Sequence, residues 1–556
     1  MNVAAYLARF LVEKNVHHIF GFQGGAILKM LDEIIATGAI QYVQNYHEQA
    51  SAFAADACSR ITGNIGVAIA TSGPGATNLI TGIANAQLDS VPLLFITGQD
   101  YMTNITANTG TRQNGFQDLD IVSLVKTITN YAIMLTDPKK IRYELEKAYW
   151  YATAGRPGAV LIDIPIDVQF MEVDPEEMQG FSPDEENAGI VDTGAIINAI
   201  AGAKRPVILV GGGVHSAKAE QAVKEFIVHT KIPVVSTANG IDSAEGGFGF
   251  AGLHGHTYAN LAIQNADLLI ALGARFGQRQ VGKEPSAYTH AKVIHVDIDR
   301  NELSRIFHDE IAIQSDLKVF LEQINRDLGG VVLPDFSEWI RKIKEWKQKY
   351  HSNVYINKKG LDPVKAVEKI VSLCAENAIF TSDVGQNQMW VAQGFQMRGT
   401  RRLLNSCAHA AMGYSLPAAI GVKTVCPENQ VICFTGDGGL QMNLQELIFV
   451  GHRRTGVKCI VFNNGTLGMM REVQLRYFQR HYYGSNRDEF ICCNLRKVAD
   501  TFGLGYRYID NLDAIDSLGK VLADENPYII ELPLELDSLL TNRYDEADFF
   551  VKERIA

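Results

Sequence analysis

The stretch VICFTGDGGLQMNLQELIFVGHRRTGVKCIVFNNGTLGMM, residues 431–470, decides how this chain is read. It opens on a β-branched run at 431–435 that ends on Gly436, Asp437, Gly438 and Gly439. A helical pattern follows at 444–450, and a second apolar run at 459–462 ends on Asn463 and Asn464. Strand, glycine turn, helix and strand make up the repeating unit of a parallel sheet. In such sheets ligands sit beyond the carboxyl ends of the strands, where helix N-termini offer free N–H groups to an anion. Asp437 and Asn464, each placed behind a strand with 24 residues between GDG and NN, are therefore expected at one spot. A carboxylate, an amide oxygen and a nearby backbone carbonyl are hard oxygen donors that leave positions open. Proteins hold Mg²⁺ this way when phosphate oxygens complete the octahedron, so the expected ligand is a diphosphate. Either piece alone would read as a helix cap or a turn; the pair at this spacing points to a metal site.

Working outward, the same alternation fills the chain. Short β-branched runs stand at 40–44, 67–70, 93–97 and 160–164, the last closed by Pro165, then at 207–210, 268–272 and 293–296, with helical stretches between them. This predicts an α/β fold of three doubly wound parallel-sheet domains. The expected boundaries are an N-terminal domain over 1–167, an acidic linker over 168–192, a central domain over 193–330 and a polar, aromatic connector over 331–358. A C-terminal domain over 359–535 and a charged tail over 536–556 complete the chain.

A chain of 556 residues exceeds one hydrophobic core, and 47% hydrophobic with 20% charged residues is the composition of a packed protein. The net charge of -11 is spread along the sequence, which argues against nucleic acid or an anionic membrane as partner. The basic run at 341–349 has the spacing of a solvated helix face. Eight cysteines without a CxxC pair read as reduced residues of a cytoplasmic protein. The opening MNVAAYLARFLVEKNV is an amphipathic helix without the apolar core of a signal peptide.

On GDG followed by NN the chain resembles the thiamine-diphosphate enzymes, and its likeness to the acetolactate synthases extends over nearly its whole length. The matching text includes HEQASAFAADACSRITG (47–63), TSGPGATNLITGIANAQLDSVPLLFITGQ (71–99), SDVGQNQMWVAQ (382–393) and MGYSLPAAIG (412–421). The resemblance implies thiamine diphosphate and Mg²⁺ as cofactors, with Asp437, Asn464 and the Thr466 carbonyl on the metal. It assigns Glu48, in HEQ, to a ring nitrogen of the aminopyrimidine, where a carboxyl group in a largely apolar site favours the imino form that removes the thiazolium proton. Alone, Glu48 would read as a first-turn helix residue. Gly24, Gln386, Asn387, Ala410, Met412, Gly438, Gly439, Leu467, Gly468 and Met469 are the further cofactor contacts it implies. Met412 props the bent cofactor, and Phe116 with Gln117 faces the reacting carbon from a partner chain. A homodimer is the smallest active unit implied, with tetramers and a regulatory small subunit left open.

The same family holds FAD in its middle domain. Candidate contacts are Arg156, Gly211, Gly212, Gly213, Thr237, His254, Gly255, Arg275, Asp297, Ile298 and Asp316, although Cys407 and Ala408 replace a glycine pair placed near the flavin. The acceptor region departs from the family pattern. RFGQR keeps Arg279, expected on an acceptor carboxylate, but has Gly277 and Gln278 where acidic residues stand. Val473 replaces a tryptophan, Asn130 a lysine and Gln23 a proline. The implied activity is a carboligase that decarboxylates pyruvate, or another 2-keto acid, and adds the two-carbon unit to a carbonyl acceptor, giving acetolactate with pyruvate. The departures keep open a different ketone acceptor such as a nucleotide-linked keto-sugar, and a flavin-dependent pyruvate oxidase. A plain decarboxylase is disfavoured because no histidine pair stands near 111–117, and a dead scaffold because Glu48, Asp437 and Asn464 are all present.

Overall fold

The computed structural model describes residues 1–106, 109–183, 191–308, 310–350 and 360–540. Its strands form three parallel sheets. The first contains β1 (His18–Phe22), β2 (Gln41–Gln44), β3 (Gly66–Ala70), β4 (Leu93–Gln99), β5 (Tyr131–Met134) and β6 (Ala159–Pro165), in the order β2-β1-β3-β4-β6-β5. The second contains β7 (Pro206–Val210), β8 (Val234–Ser236), β9 (Leu268–Leu272), β10 (Lys292–Asp297) and β11 (Ile311–Gln314), in the order β11-β10-β9-β7-β8. The third contains β12 (Ile379–Ser382), β13 (Arg402–Asn405), β14 (Val431–Gly436), β15 (Lys458–Asn463), β16 (Gly505–Tyr508) and β17 (Tyr528–Pro533), in the order β13-β12-β14-β15-β17-β16.

The central strands are apolar along their whole length because both of their faces are covered. In the second sheet Ile208, Val210, Ile270, Leu272 and Ile294 enter one core while Val207, Leu209, Leu269, Ala271 and Val293 enter the other. Every sheet begins with one strand pairing outward and the next crossing to the opposite side. The switch points lie between β1 and β3, β7 and β9, and β12 and β14, and a parallel sheet opens a crevice at such a point.

The chain divides into two compact units. One comprises Met1–Glu186 with Ser406–Val431 and Met442–Val457; the other comprises Asn187–Asn405, Ile432–Gln441 and Lys458–Ala556. In the first unit the helix Ser415–Val425 lies along the helix Glu48–Thr62, so closely that a Cβ on Gly421 would overlap Ala54 O. Buried charges mark this seam. Arg60 Nε meets Asp56 Oδ1 at 2.7 Å, Arg60 Nη2 meets Asp89 Oδ2 at 3.2 Å, and Tyr414 donates to Asp56 Oδ1 at 2.7 Å.

Three connecting segments pack where none was expected to. The acidic text after Pro165 continues as the helix Ile166–Phe170 and buries Val168, Val173 and Met178 in the first core; apolar side chains at wide spacing sufficed to dock it. Residues 184–190 of that linker lie outside the described residues. The connector contains the helix Ser337–Tyr350, which puts Trp339, Ile343 and Trp346 into the second core and leaves its basic residues outside; residues 351–358 lie outside the described residues. The tail expected from 536 is anchored through Ser538 and Leu540, both buried, and residues 541–556 lie outside the described residues. Among the described residues no helix is long and apolar enough to cross a membrane.

Candidate active site

At the switch point of the third sheet, β14 runs directly into the helix Asp437–Met442, so Asp437 is a helix residue rather than part of a loop before one. Gly436 of β14 pairs with Phe462 of β15, which sets Asn463 and Asn464 beside it. Asp437 Oδ1 accepts from Gly438 N–H at 2.8 Å, and Oδ2 accepts from Gly465 N–H at 2.8 Å and from the Cys492 thiol at 3.3 Å. Asn464 Oδ1 accepts from Thr466 N–H at 3.3 Å. Asp437, Asn464 and Thr466 are thus gathered around one turn, in which Gly465 has φ 67°. Burial pushes the Asp437 carboxyl above its usual range, opposed by the thiol and the surrounding N–H groups. A buried carboxylate with an amide oxygen beside it and no cation paired to it among the described residues fits a divalent ion.

Gln386 and Asn387 begin the helix Gln386–Gly394 after β12, and both are buried. Gln386 Nε2 donates to Glu472 Oε2 at 2.8 Å and Ser538 O at 2.7 Å, while its Oε1 accepts from Asn464 Nδ2 at 3.4 Å. Asn387 Nδ2 donates to Asp383 O at 2.9 Å and Ser382 Oγ at 3.2 Å, so its donors are spent on the end of β12. Gly438 and Gly439 are buried, and a Cβ on Gly439 would come within 2.7 Å of Asp383 Cγ. Gly468 allows Gln386 Oε1 to approach where a Cβ would stand, between half-buried Leu467 and Met469.

In the first unit Glu48 is the first residue of the helix Glu48–Thr62, capped by His47, whose Nδ1 accepts from Gln49 N–H at 3.1 Å. Glu48 thus stands at the helix start that its local sequence suggests. Glu48 is buried; its Oε2 accepts from Asn78 Nδ2 at 2.9 Å, and its Oε1 lies 3.2 Å from where a Cβ on Gly75 would stand. Tyr42 is pushed up to about 12 by burial and by the Glu48 carboxylate beside it. Gly24, after β1, lies against Thr71, after β3, closing that switch point. Gln117 has φ 59° and packs on Gly73, whereas Phe116 stands 83% exposed. In the loop before the helix Ser415–Val425, Ala410 has φ 55° and Met412 is half-buried. The N–H groups of Cys407 and Ala408 in this loop donate to Asp89 at 3.1 and 2.9 Å.

The second sheet is different. Gly211, Gly213 and Gly273 pack backbone on backbone: a Cβ on Gly211 would overlap Gly273 O, and one on Gly213 would stand 2.7 Å from Gly273 Cα. Thr237 donates its N–H to Val210 O at 2.9 Å, Gly212 lies beside Asn239, and Gly255 folds against Phe250 O. Asp297 ends β10, with Ile298 next to it, and accepts from Asp299 N–H at 2.9 Å. Asp316 caps the helix Leu317–Asp327 through Val319 N–H at 3.0 Å. Arg156 belongs to the first unit, where it donates to Ser90 Oγ at 2.9 Å. Arg275 is exposed and its carbonyl accepts from Arg305. Arg279 donates to Gln388 Oε1 at 3.4 Å and lies 3.5 Å from Met389 S. Burial pushes His254 down to about 3, reinforced by the guanidiniums of Arg279 and Arg476, so its ring is neutral near pH 7. Val473 is half-buried between buried Glu472 and Gln474.

Three family models match in chain order: the thiamine pyrophosphate enzyme N-terminal TPP binding domain over 1–124, the central domain over 193–324 and the C-terminal TPP binding domain over 383–532. The chain is 36% identical to an acetolactate synthase large subunit of Cyanidium caldarium, with 94% of this chain and 92% of the relative covered. It is 35% identical to the large subunit of Lactococcus lactis, covering 94% and 90%. Against the isozyme 2 large subunit of Escherichia coli it is 34% identical, covering 96% of each. The chain belongs to the acetolactate synthase family of thiamine pyrophosphate enzymes. Within that family frame, sequence reading passed over the groups that hold the named residues in place. Asn78 lay inside the matching text without a role, and Glu472 and Glu446, each buried and hydrogen-bonded, had no local signal beyond being charged residues in apolar surroundings.

Proposed function

We propose that the chain is a thiamine-diphosphate and Mg²⁺ dependent carboligase that decarboxylates pyruvate and joins the two-carbon unit to a second pyruvate, giving acetolactate. The observation that carries this reading is Glu48: a buried carboxyl at a helix start and a sheet's switch point, with an amide donor on one oxygen and a glycine opening beside the other. Thiamine diphosphate, when bound, supplies an acidic thiazolium carbon that adds to a 2-keto acid and stores the electrons left by CO₂. Glu48 would hold a proton at the aminopyrimidine ring nitrogen and so favour the imino form, the base that the cofactor supplies when bound. Asp437, Asn464 and the Thr466 carbonyl hold Mg²⁺, whose charge balances the diphosphate. Arg279 meets the acceptor carboxylate.

The names of the three relatives favour pyruvate as acceptor over a nucleotide-linked keto-sugar, and a ligase over an oxidase. FAD is proposed at the ends of β7, β9 and β10, where Gly211, Gly213 and Asp297 would be among the residues that hold it. The exposure of Phe116 on the single chain supports a homodimer in which it covers a partner's site. The relatives are named large subunits, so a small-subunit partner is proposed too, and the cytoplasm as the place of action.

The test uses purified protein with pyruvate, thiamine diphosphate and Mg²⁺. Acetolactate is the expected product by mass, and acetaldehyde or acetate alone would overturn the ligase reading. In Glu48→Gln, proton exchange at the thiazolium carbon should fall by at least about a hundredfold, since general acid–base groups contribute that much, while the cofactor still binds. Normal exchange would remove Glu48 from its role.

A further inference from the structure

The chain leaves β2 at Gln44, four residues before Glu48, and the segment that makes the turn is gripped from far along the sequence. Glu446 lies in the short helical turn Leu444–Glu446 and is completely buried. Its Oε1 accepts from Tyr46 N–H at 2.9 Å and its Oε2 from Asn45 Nδ2 at 3.0 Å. Two consecutive residues, Asn45 and Tyr46, thus donate to one carboxyl group just ahead of His47 and Glu48. Asn443, at the start of the same turn, donates to Gly413 O at 2.8 Å and to Gln49 Oε1 at 3.4 Å. The segment 443–446 therefore braces the chain on both sides of Glu48 and reaches the residue after Met412, all within the first unit.

The chemistry of this grip is unusual for a mere packing contact. Burial pushes Glu446 up to about 7, opposed by the Asn45 and Tyr46 donors. An apolar residue of similar volume would avoid that desolvation, because an acidic group in an uncharged pocket opposes folding unless its acceptors are used. What only a carboxylate supplies here is two acceptor oxygens in a fixed fork, able to take up adjacent N–H groups that helix formation leaves without partners.

We propose that Glu446 is a positioning residue, which fixes the entry of the helix Glu48–Thr62 and thereby the place of the Glu48 carboxyl against the cofactor's aminopyrimidine. The proposal rests on the reading of Glu48 given above. Glu446 touches neither cofactor nor substrate; it acts through Asn45 and Tyr46. A shift of about 1 Å in a catalytic group can cost about a hundredfold in rate, so loss of the grip should appear in proton transfer rather than in cofactor binding.

The experiment measures deuterium exchange at the thiazolium carbon in the holoenzyme, with thiamine diphosphate and Mg²⁺ saturating, for the wild type, Glu446→Gln, Glu446→Asp, Asn45→Ala and Glu48→Gln. Glu446→Gln replaces one acceptor oxygen by a donor facing a donor. It should slow exchange about ten- to hundredfold with the thiamine diphosphate Kd changed much less. Glu446→Asp keeps the carboxylate and should recover part of the rate. Asn45→Ala removes one donor while Glu446 stays, so it should show a smaller fall and serves if Glu446→Gln does not fold. Wild-type exchange in both Glu446→Gln and Asn45→Ala, or a loss that only follows weakened cofactor binding, would overturn the proposal, as would Glu446→Asp exchanging no faster than Glu446→Gln. If Glu48→Gln itself exchanges normally, the reading of Glu48 fails and takes the proposal with it. Slow Glu48→Gln beside normal Glu446→Gln removes the positioning role alone.

Discussion

The ends of β12 and β14 and the ends of β7 and β9 flank the switch points of their sheets, yet they are built in opposite ways. Around Gly436 and Asn463 the chain turns polar side chains inward: Asp437, Asn464 and Gln386 are all buried, Asn464 donates to Gln386, and Asp437 accepts from the Gly465 N–H. Around Gly211 and Gly273 the backbones themselves meet, and the charged side chains that follow, Arg275 and Arg279, face outward. A buried carboxylate without a counterion is costly unless hydrogen bonds, a proton or a cation compensate it, and burial does push the Asp437 carboxyl up. Glycine against glycine leaves no such debt. The same sheet position can therefore be lined by polar side chains in one domain and by backbone against backbone in another, and glycines alone do not tell a ligand site from a packing device.

The largest expected effect breaks the first half of that contrast. Asp437→Ala removes the charged member of the proposed metal set and should weaken thiamine diphosphate binding by at least about thirtyfold, since removing one partner of a buried charged contact costs about 2–5 kcal/mol. The measurement is cofactor retained per chain after gel filtration, with and without added Mg²⁺. Stoichiometric retention would place the metal elsewhere. A middle-sized effect tests the other half. Gly211→Ala puts a methyl group onto Gly273 O and should destabilise the protein by about 1–3 kcal/mol, the usual result of overpacking. That loss should appear in denaturation with FAD present or absent. If Gly211→Ala instead melts like the wild type but no longer retains flavin, the glycines serve the ligand and the contrast collapses.

These regions also differ in how much of them could be read beforehand. Asp437 and Asn464 were legible because each follows a strand whose own apolar run announces it, and local patterning decides where strands end. The sheets' switch points, by contrast, are facts of strand order, which no periodicity records. Glu446 meets Asn45 across 401 residues of sequence, so its role depended on tertiary packing alone. The basic run at 341–349 was legible as a helix face, but the docking of the helix Ser337–Tyr350 was not. Trp339, Ile343 and Trp346 have helical spacing, but its many charged residues, which cover the outer face, made the stretch look like a connector. Val173 and Met178 were masked in the same way by acidic neighbours.

The smallest expected effect concerns the wall where this chain departs most from its family's pattern. Val473 stands on the helix Gly468–Tyr477 between buried Glu472 and Gln474, and that stretch is fixed at both ends. Arg471 Nε meets Asp537 Oδ1 at 2.6 Å, and Glu472 pairs with Arg476. A side chain held on so constrained a backbone changes a pocket by its volume rather than by moving the helix. Val473→Trp adds a large apolar surface and should discriminate between acceptors by size. A pocket distinguishes one methylene by about 1–3 kcal/mol at best, and Val473 is only half-buried, so the lower end applies. The quantity to compare is the kcat/KM ratio of a 2-keto acid one methylene longer than pyruvate to pyruvate itself, each as acceptor. Val473→Trp should change that ratio by about three- to tenfold, against the longer acceptor, with total pyruvate consumption altered much less. Arg279→Ala is the control for direction, because removing a guanidinium weakens both carboxylate-bearing acceptors together and leaves their ratio near the wild-type value. If Val473→Trp lowers both rates in step, as Arg279→Ala is expected to do, Val473 does not line the acceptor wall, and its replacement of the family's tryptophan has no bearing on which substrate is chosen.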